Sequence, residues 1–273
     1  MANPSTQSTT SQGSNVSSLF AALVIPIAFV ISVLVFIFIM GSGSNFVDGD
    51  PTKEAIQGNY LGIIHKGGIL VPILMTALLT VITFSIERIL TLAKAKGSGN
   101  VAAFVKRVQA QLNRGDISAA NAECDKQKGS VANVIKAGLK KYQEVEKQGG
   151  LSKDQALLAI QKEVEESTAL ELPMLEKNLA VIATIAPIGT LLGLLGTVLG
   201  MIRAFAAQAH AGQPDAVQLS QGISEALVNT AFGILTSALA IIVYNYFTNS
   251  IDSLTYGIDE AGYSLQQNYA EKH

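Results

Sequence analysis

This chain of 273 residues has few charged side chains and a single cysteine. Because Cys124 stands alone, an intrachain disulfide is excluded. The three histidines, His65, His210 and His273, are scattered and show no metal-ligand spacing, so we predict neither a metal site nor a cofactor. Charged residues make up 15% of the chain, whereas about 25% is usual in soluble domains. This shortage of charge favours a membrane protein.

The charges that are present are segregated along the chain. Fifteen of the 19 Lys and Arg residues lie within residues 88–177, whereas residues 179–250 hold one base, Arg203, and two acids, Asp215 and Glu225. The basic region also holds many acids and the net charge is only −2, so nucleic-acid binding is not indicated. The pattern predicts membrane spans together with one sizeable charged domain.

Four apolar segments are long enough to cross a bilayer, which requires about 20 residues of helix. By the positive-inside tendency, the bases in "ERILTLAKAK" at the end of the second segment place that end, and therefore both chain termini, in the cytoplasm. We therefore predict an all-α integral membrane protein with a helical cytoplasmic domain. The predicted order is a disordered polar tail at 1–18, a span at 19–40, a periplasmic loop at 41–68, a span at 69–92, the cytoplasmic domain at 93–178, a span at 179–205, a periplasmic loop at 206–218, a span at 219–248 and a cytoplasmic tail at 249–273.

The first apolar segment, 19–40, has a signal peptide as its alternative interpretation. It lacks a basic start, and its 22 uncharged residues exceed the apolar core of about 7–15 residues in a signal peptide. The small residues at 41–44 are compatible with a cleavage site. We predict a retained span.

The charged region carries helical signals and no strand pattern. Ser152, followed three residues later by Gln155, predicts a capping box, and Asp116 and Ser130 are predicted helix N-caps. Within residues 93–177 we find neither an alternating apolar run nor an Asn-Gly or Asp-Gly hairpin turn. We expect the helix after Ser152 to continue into the third span, with a bend at Pro173.

Small residues form a stripe along each of the last two spans. The glycines of the third span recur at spacings of four, three and four, which places them on one helix face. Since glycine has no side chain, such a face lets backbones approach closely. Helix packing within the chain and oligomerisation through this face both remain open. The stripes consist of Gly189, Gly193, Gly196 and Gly200, and of Gly222, Ala226, Asn229 and Gly233.

Three polar side chains interrupt these two spans. Thr197 and Thr230 are equally far along the chain from the loop near Pro214, so we expect them at similar depth. Glu225 lies about 7.5 Å nearer the outer end. An ionised acid at the centre of a spanning helix costs about 2.5–3.5 kcal/mol, so such acids usually face a bundle interior or a wet cavity. The alternative is a shallow, wetted Glu225 paired with Arg203 or a loop amide, with threonines bonded to their own helices.

Two sequence runs in these spans resemble a known family. "APIGTLLGLLGTVLGMI" and "GISEALVNTAFG" are similar to the signature spans of the MotA/TolQ/ExbB proton channel family, most closely its ExbB/TolQ branch, and "SIERIL" fits the family's first span. The resemblance implies that Thr197, Glu225 and Thr230 line a proton path. It also implies a pentamer around a single-span ExbD/TolR-like partner, whose aspartate completes that path. Such a motor energises outer-membrane transport or envelope work, in some systems through a TonB-like protein.

Two features depart from the family pattern. The span at 19–40 is additional to the usual three, and Leu239 stands where the last span of the family often has a proline. A flagellar-stator-like subunit and a structural scaffold without ion conduction are the alternative functions. We expect no enzymatic activity, because no HExxH, GxSxG or phosphate-binding loop occurs in the sequence.

Overall fold

The computed structural model describes residues 12–148, 150–210 and 216–272. These residues form α-helices, one π-helix and two short 3-10 turns, with no strand among them. The helices are α1 Gln12–Leu34, the π-helix Val35–Met40, α2 Tyr60–His65, α3 Leu70–Lys96, α4 Val101–Asn113, α5 Ile117–Gln127, α6 Gly129–Gln148, α7 Lys153–Glu176, α8 Leu179–His210 and α9 Ala216–Lys272.

Four of these helical stretches are long and apolar enough to cross a membrane. They are α1 continued by the π-helix, α3, α8 and α9. This confirms the prediction of an all-helical chain with four candidate spans. The exposed positions of residues 22–40 are mostly large and apolar, among them Ile27 and Val30 of α1 and Phe38 of the π-helix. This stretch therefore suits a lipid environment.

Several element boundaries differ from those that we expected. Helix α1 begins at Gln12, within the segment predicted to be a disordered tail, of which residues 1–11 lie outside the described part. Pro173 lies inside α7, and the break before the third span falls instead at Asn178, whose φ is +64°. Asparagine adopts this left-handed conformation more readily than most residues do, which explains the position of the break.

Both ends of the predicted loop at 206–218 are helical in the structure. Helix α8 runs to His210 and α9 begins at Ala216, while residues 211–215 lie outside the described part. No break separates the fourth span from the predicted tail, because α9 is one helix of 57 residues. The absence of proline at Leu239 allows this continuity.

The chain divides into two compact units. We call residues 1–85 together with 181–243 the span unit, and residues 86–180 together with 244–273 the charged unit. Helices α3 and α9 contribute residues to both units.

In the span unit, residues 41–68 after the first span fold into a small ordered segment, which we call the cap. The side-chain amide of Asn45 donates to the carbonyls of Ile39 and Met40 at 2.7 and 2.9 Å, and so satisfies the end of the π-helix. The His65 ring stacks on Phe36 with centroids 4.5 Å apart. Burial and the neighbouring charge of Lys66 both lower the pKa of His65. The first span therefore ends in an ordered structure.

In the charged unit, the end of α9 is a core element and not only a polar tail. Its buried side chains recur every three or four residues, as expected for one face of a helix. Asn268 donates to the carbonyl of Leu112 at 2.9 Å and accepts from the Tyr142 hydroxyl at 3.2 Å. The buried apolar residues of this face are Ile251, Leu254, Ile258, Ala261, Leu265 and Tyr269.

Arg88 of the "SIERIL" run is almost fully buried in the charged unit, with 1% exposure. Its guanidinium donates to the carbonyls of Met174 and Leu175 at the end of α7, at 3.2 and 3.0 Å, and pairs with Glu87. The Asn178 amide also donates to Glu87 at 3.2 Å. These bonds satisfy carbonyls that the helix end leaves without partners.

Local capping in the charged unit follows the sequence closely. Asp116 accepts a hydrogen bond from the Ala119 amide at 2.8 Å, and the Ser152–Gln155 capping box is present, so both predictions are confirmed. Ser130 is not an N-cap. Ser130 lies within the bounds of α6, Gly129–Gln148.

Candidate functional site on the α8–α9 hairpin

The small-residue stripes of α8 and α9 face each other within the chain. A β-carbon added to Gly233 would lie 2.6 Å from the Gly189 carbonyl oxygen and 2.7 Å from the Gly193 α-carbon. A β-carbon on Gly200 would lie 2.7 Å from the Gly222 carbonyl oxygen. Such distances exclude any side chain, so the two backbones touch along this line. The stripe is thus occupied by packing inside one chain.

The close approach brings Thr197 of α8 and Thr230 of α9 together. Their hydroxyls are hydrogen-bonded to each other. Each hydroxyl also lies near the Gly193 carbonyl oxygen, at 3.3 Å for Thr197 and 3.4 Å for Thr230. Both side chains are half-buried. The expectation that these residues lie at equal depth therefore agrees with the contact between them.

A second hydroxyl pair lies two helical turns further along the hairpin. The Thr190 hydroxyl donates to Ser237 at 2.8 Å, and Ser237 donates in turn to the carbonyl of Ala186 at 2.5 Å. Thr190 precedes Thr197 by seven residues and Ser237 follows Thr230 by seven, a distance of about 10.5 Å along each helix. These two residues were not among the predicted site residues, although the shared spacing of seven from the threonine pair is visible in the sequence.

Glu225 lies on the other side of the threonine pair and carries an ion pair. The Arg203 guanidinium of α8 donates to its carboxylate. The Glu225 side chain is 14% exposed, whereas that of Arg203 is 54% exposed. The structure therefore pairs Glu225 with Arg203, which was the alternative interpretation of this acid. The pair is not confined to the interior, because the arginine reaches the surface of the chain.

The turn between α2 and α3 closes over the same region, a relationship that the sequence did not reveal. The side-chain amide of Asn229, fully buried on α9, donates to the Gly67 carbonyl at 2.8 Å. A β-carbon on Gly68 would lie 2.6 Å from Oε1 of Glu225. In the sequence, Asn229 was visible only as one member of a small-residue stripe.

Together these contacts form three polar steps along one hairpin. The steps are the Arg203–Glu225 pair, the threonine pair and the Thr190–Ser237 pair. A hydroxyl both donates and accepts hydrogen bonds, and a carboxylate accepts them and can bind a proton. Such an arrangement can hold water molecules and pass protons between them. Among the described residues, no cluster of His, Cys, Asp and Glu could hold a metal ion.

Most of this hairpin lies within a region of the chain that matches a known family model. Residues 126–260 match the family model described as the MotA/TolQ/ExbB proton channel family. The match includes both glycine stripes and all three polar steps. The additional first span and the "SIERIL" run lie outside it.

Individual relatives carry the names TolQ and ExbB. The chain is 30% identical over 118 residues to the Tol-Pal system protein TolQ of Pseudomonas aeruginosa, an overlap of 43% of this chain and 51% of that protein. It is 33% identical over 84 residues to TolQ of Haemophilus influenzae, covering 31% and 37% of the two chains. It is 36% identical over 72 residues to the biopolymer transport protein ExbB of Salmonella typhimurium, covering 26% and 30%. The matched region thus spans about half or less of each relative.

Proposed function

We propose that this chain, which belongs to the ExbB/TolQ branch of the MotA/TolQ/ExbB proton channel family, is a subunit of a motor driven by the proton-motive force. The observation that carries the proposal is the hydrogen-bonded contact between Thr197 and Thr230, between one and two helical turns from the Arg203–Glu225 ion pair on the same hairpin. The proposed location is a bacterial inner membrane, with both termini in the cytoplasm.

The hairpin residues would divide the work of proton transfer. Glu225 accepts and releases a proton at the outer end of the path, and Arg203 holds the carboxylate in place through its hydrogen bond. The hydroxyls of Thr197 and Thr230 orient water in the narrow part of the path, since each can donate and accept. Thr190 and Ser237 continue the polar line for two further turns.

One chain supplies a single acid to this path, so a second titratable group is required. We propose that it comes from the aspartate of a single-span ExbD/TolR-like partner. Five copies of this chain would form a ring around that partner, with α8 and α9 lining the central space. The names of the relatives, a Tol-Pal system protein and a biopolymer transport protein, suggest envelope maintenance or outer-membrane transport through a TonB-like protein as the work performed.

Proton flux in vesicles tests the proposal directly. The chain is expressed with a candidate single-span ExbD/TolR-like protein, and a pH-sensitive dye inside the vesicles reports flux under an imposed gradient. We expect flux only when both proteins are present. No flux from the complete complex would contradict the proposal and favour a structural scaffold.

A second measurement identifies the ion. Replacing sodium by potassium at constant pH should leave the flux unchanged if protons are carried. A flux that disappears without sodium would contradict the proton path and assign sodium as the ion.

A further inference from the structure

The turn that joins α2 to α3 rests directly on the polar residues of α9. Its backbone is fixed locally, because the Gly67 amide donates to the Ile64 carbonyl at 2.9 Å and the Gly68 amide to the His65 carbonyl at 3.1 Å. Gly67 is buried, and a β-carbon on it would lie 2.9 Å from a Val228 methyl group. The turn therefore has no room for a side chain on the face towards α9.

Gly68 brings this turn against the carboxylate of Glu225. A β-carbon at position 68 would lie 2.6 Å from Oε1 of Glu225 and 3.5 Å from Nη1 of Arg203. The φ of Gly68 is +75°, a conformation that other residues adopt at a cost. Backbone at position 68 thus occupies the space immediately above the ion pair.

Asn229 fastens the turn to α9. Its amide group donates to the Gly67 carbonyl from a fully buried position. Asn229 lies one helical turn from Glu225 and next to Thr230 in the sequence, so one residue connects the turn with both parts of the proposed path. An amide donor in a buried site is costly to remove, because it leaves the carbonyl without a partner.

From these contacts we infer that the Gly67–Gly68 turn, held by Asn229, is a positioning element that covers Glu225 and keeps its carboxylate on Arg203. Glycine at position 68 lets the turn approach the ion pair, and Asn229 prevents the turn from lifting. In its consequence for proton flow the inference rests on the proposed function, since the turn would then control access to Glu225 from the outer end.

Carboxyl labelling tests whether the Gly67–Gly68 turn covers Glu225, without measuring transport. The purified full chain in detergent is treated with a water-soluble carbodiimide and an amine, and peptide mass spectrometry gives the rate at Glu225, with Glu225→Gln as the blank. We expect Gly68→Ala to accelerate labelling about fivefold, because the displaced carboxylate loses a hydrogen bond whose net contribution of about 1 kcal/mol corresponds to that factor. The control is Gly58→Ala, because Gly58 has a similar φ of +83° and nothing within 4 Å of its added β-carbon.

A second variant tests whether the hydrogen bond from Asn229 holds the turn on α9. Asn229→Leu has a similar shape and lacks the donor, and we expect it to accelerate labelling at Glu225 by about the same factor. Glu54 in the same samples serves as the internal control and should label at an unchanged rate. Equal Glu225 rates in Gly68→Ala and Gly58→Ala, or a wild-type rate in Asn229→Leu, would overturn the inference. Absence of proton flux in the complete wild-type complex would instead overturn the proposed function and leave this result standing.

Discussion

The hydroxyls of Thr197 and Thr230 are hydrogen-bonded across the α8–α9 hairpin, although 33 residues separate them in the sequence. The contact exists because glycines on both helices remove the side chains that would hold the backbones apart. The threonine pair and the facing small-residue stripes are therefore one structural feature. Its parts can be tested separately.

Removing either hydroxyl should strongly reduce proton flux without unfolding the chain. Thr197→Val and Thr230→Val keep the shape of the side chain and remove its donor and acceptor. We expect flux from the complete complex to fall roughly a hundredfold, the contribution typical of a positioned proton-transfer group. Thr83→Val is the matched control, since the Thr83 hydroxyl bonds only to the Leu79 carbonyl of its own helix, at 2.8 Å. Full flux in both variants would remove the threonines from the path.

Glu225→Gln should abolish flux while the protein assembles normally, because the amide cannot take up and release a proton.

Arg203→Met is expected to fold. Arg203 is more than half exposed, so its ion pair contributes no more than about 1 kcal/mol to stability. Thermal unfolding of both variants and vesicle flux check these outcomes. A Glu225→Gln complex that still conducts would show that this carboxylate carries no protons.

Side chains introduced at the glycines of the small-residue stripes should destabilise the hairpin. In Gly233→Ala the new methyl group meets the Gly189 carbonyl oxygen at 2.6 Å, and overpacking of this kind typically costs about 1–3 kcal/mol. The exposed Ala231→Val on the same helix should stay within about 0.5 kcal/mol of wild type. Thermal unfolding in detergent gives the comparison, and equal stability of the two variants would contradict close packing here.

The cap after the first span should depend on Asn45. In Asn45→Ala the carbonyls of Ile39 and Met40 lose their donor, which we expect to weaken the cap by about 1–3 kcal/mol. Hydrogen exchange at residues 36–46 should accelerate. Ser44→Ala is the control, because the Ser44 hydroxyl bonds only to Ser42 on the surface. Unchanged exchange in Asn45→Ala would show that the span end is held by other contacts.

The single thiol should report the opening of the charged unit. Burial, with a smaller contribution from Asp125, raises the pKa of Cys124 from 9.0 to about 12. The folded state therefore keeps the thiol neutral, and this contribution to stability is complete below pH 9 and is lost as the pH rises towards 12. A maleimide at pH 8 should label Cys124 only after denaturation, and labelling should accelerate as the pH rises above 9. Rapid labelling of the native protein at pH 8 would contradict this.

The sequence by itself determined which segments are apolar, which residue types interrupt them and where most helices begin. Length and hydropathy are local properties, so four spans, the Ser152 capping box and the equal depth of the two threonines could be read directly. The spacing of the glycines also fixed which face of α8 would pack closely. The partner of that face, α9 of the same chain, was not decided by spacing.

Only the tertiary structure decided which distant groups meet. Whether Glu225 pairs with Arg203 depends on how two antiparallel helices rotate about their axes, and the contact of Gly68 with Glu225 depends on a turn more than 150 residues away in the chain. The same is true of Arg88, whose burial at the end of α7 gives a charged residue a structural role that its position in an apolar segment did not reveal. Hydropathy and periodicity depend on residues that are close together in the sequence, whereas these contacts depend on how residues far apart in the sequence pack against each other.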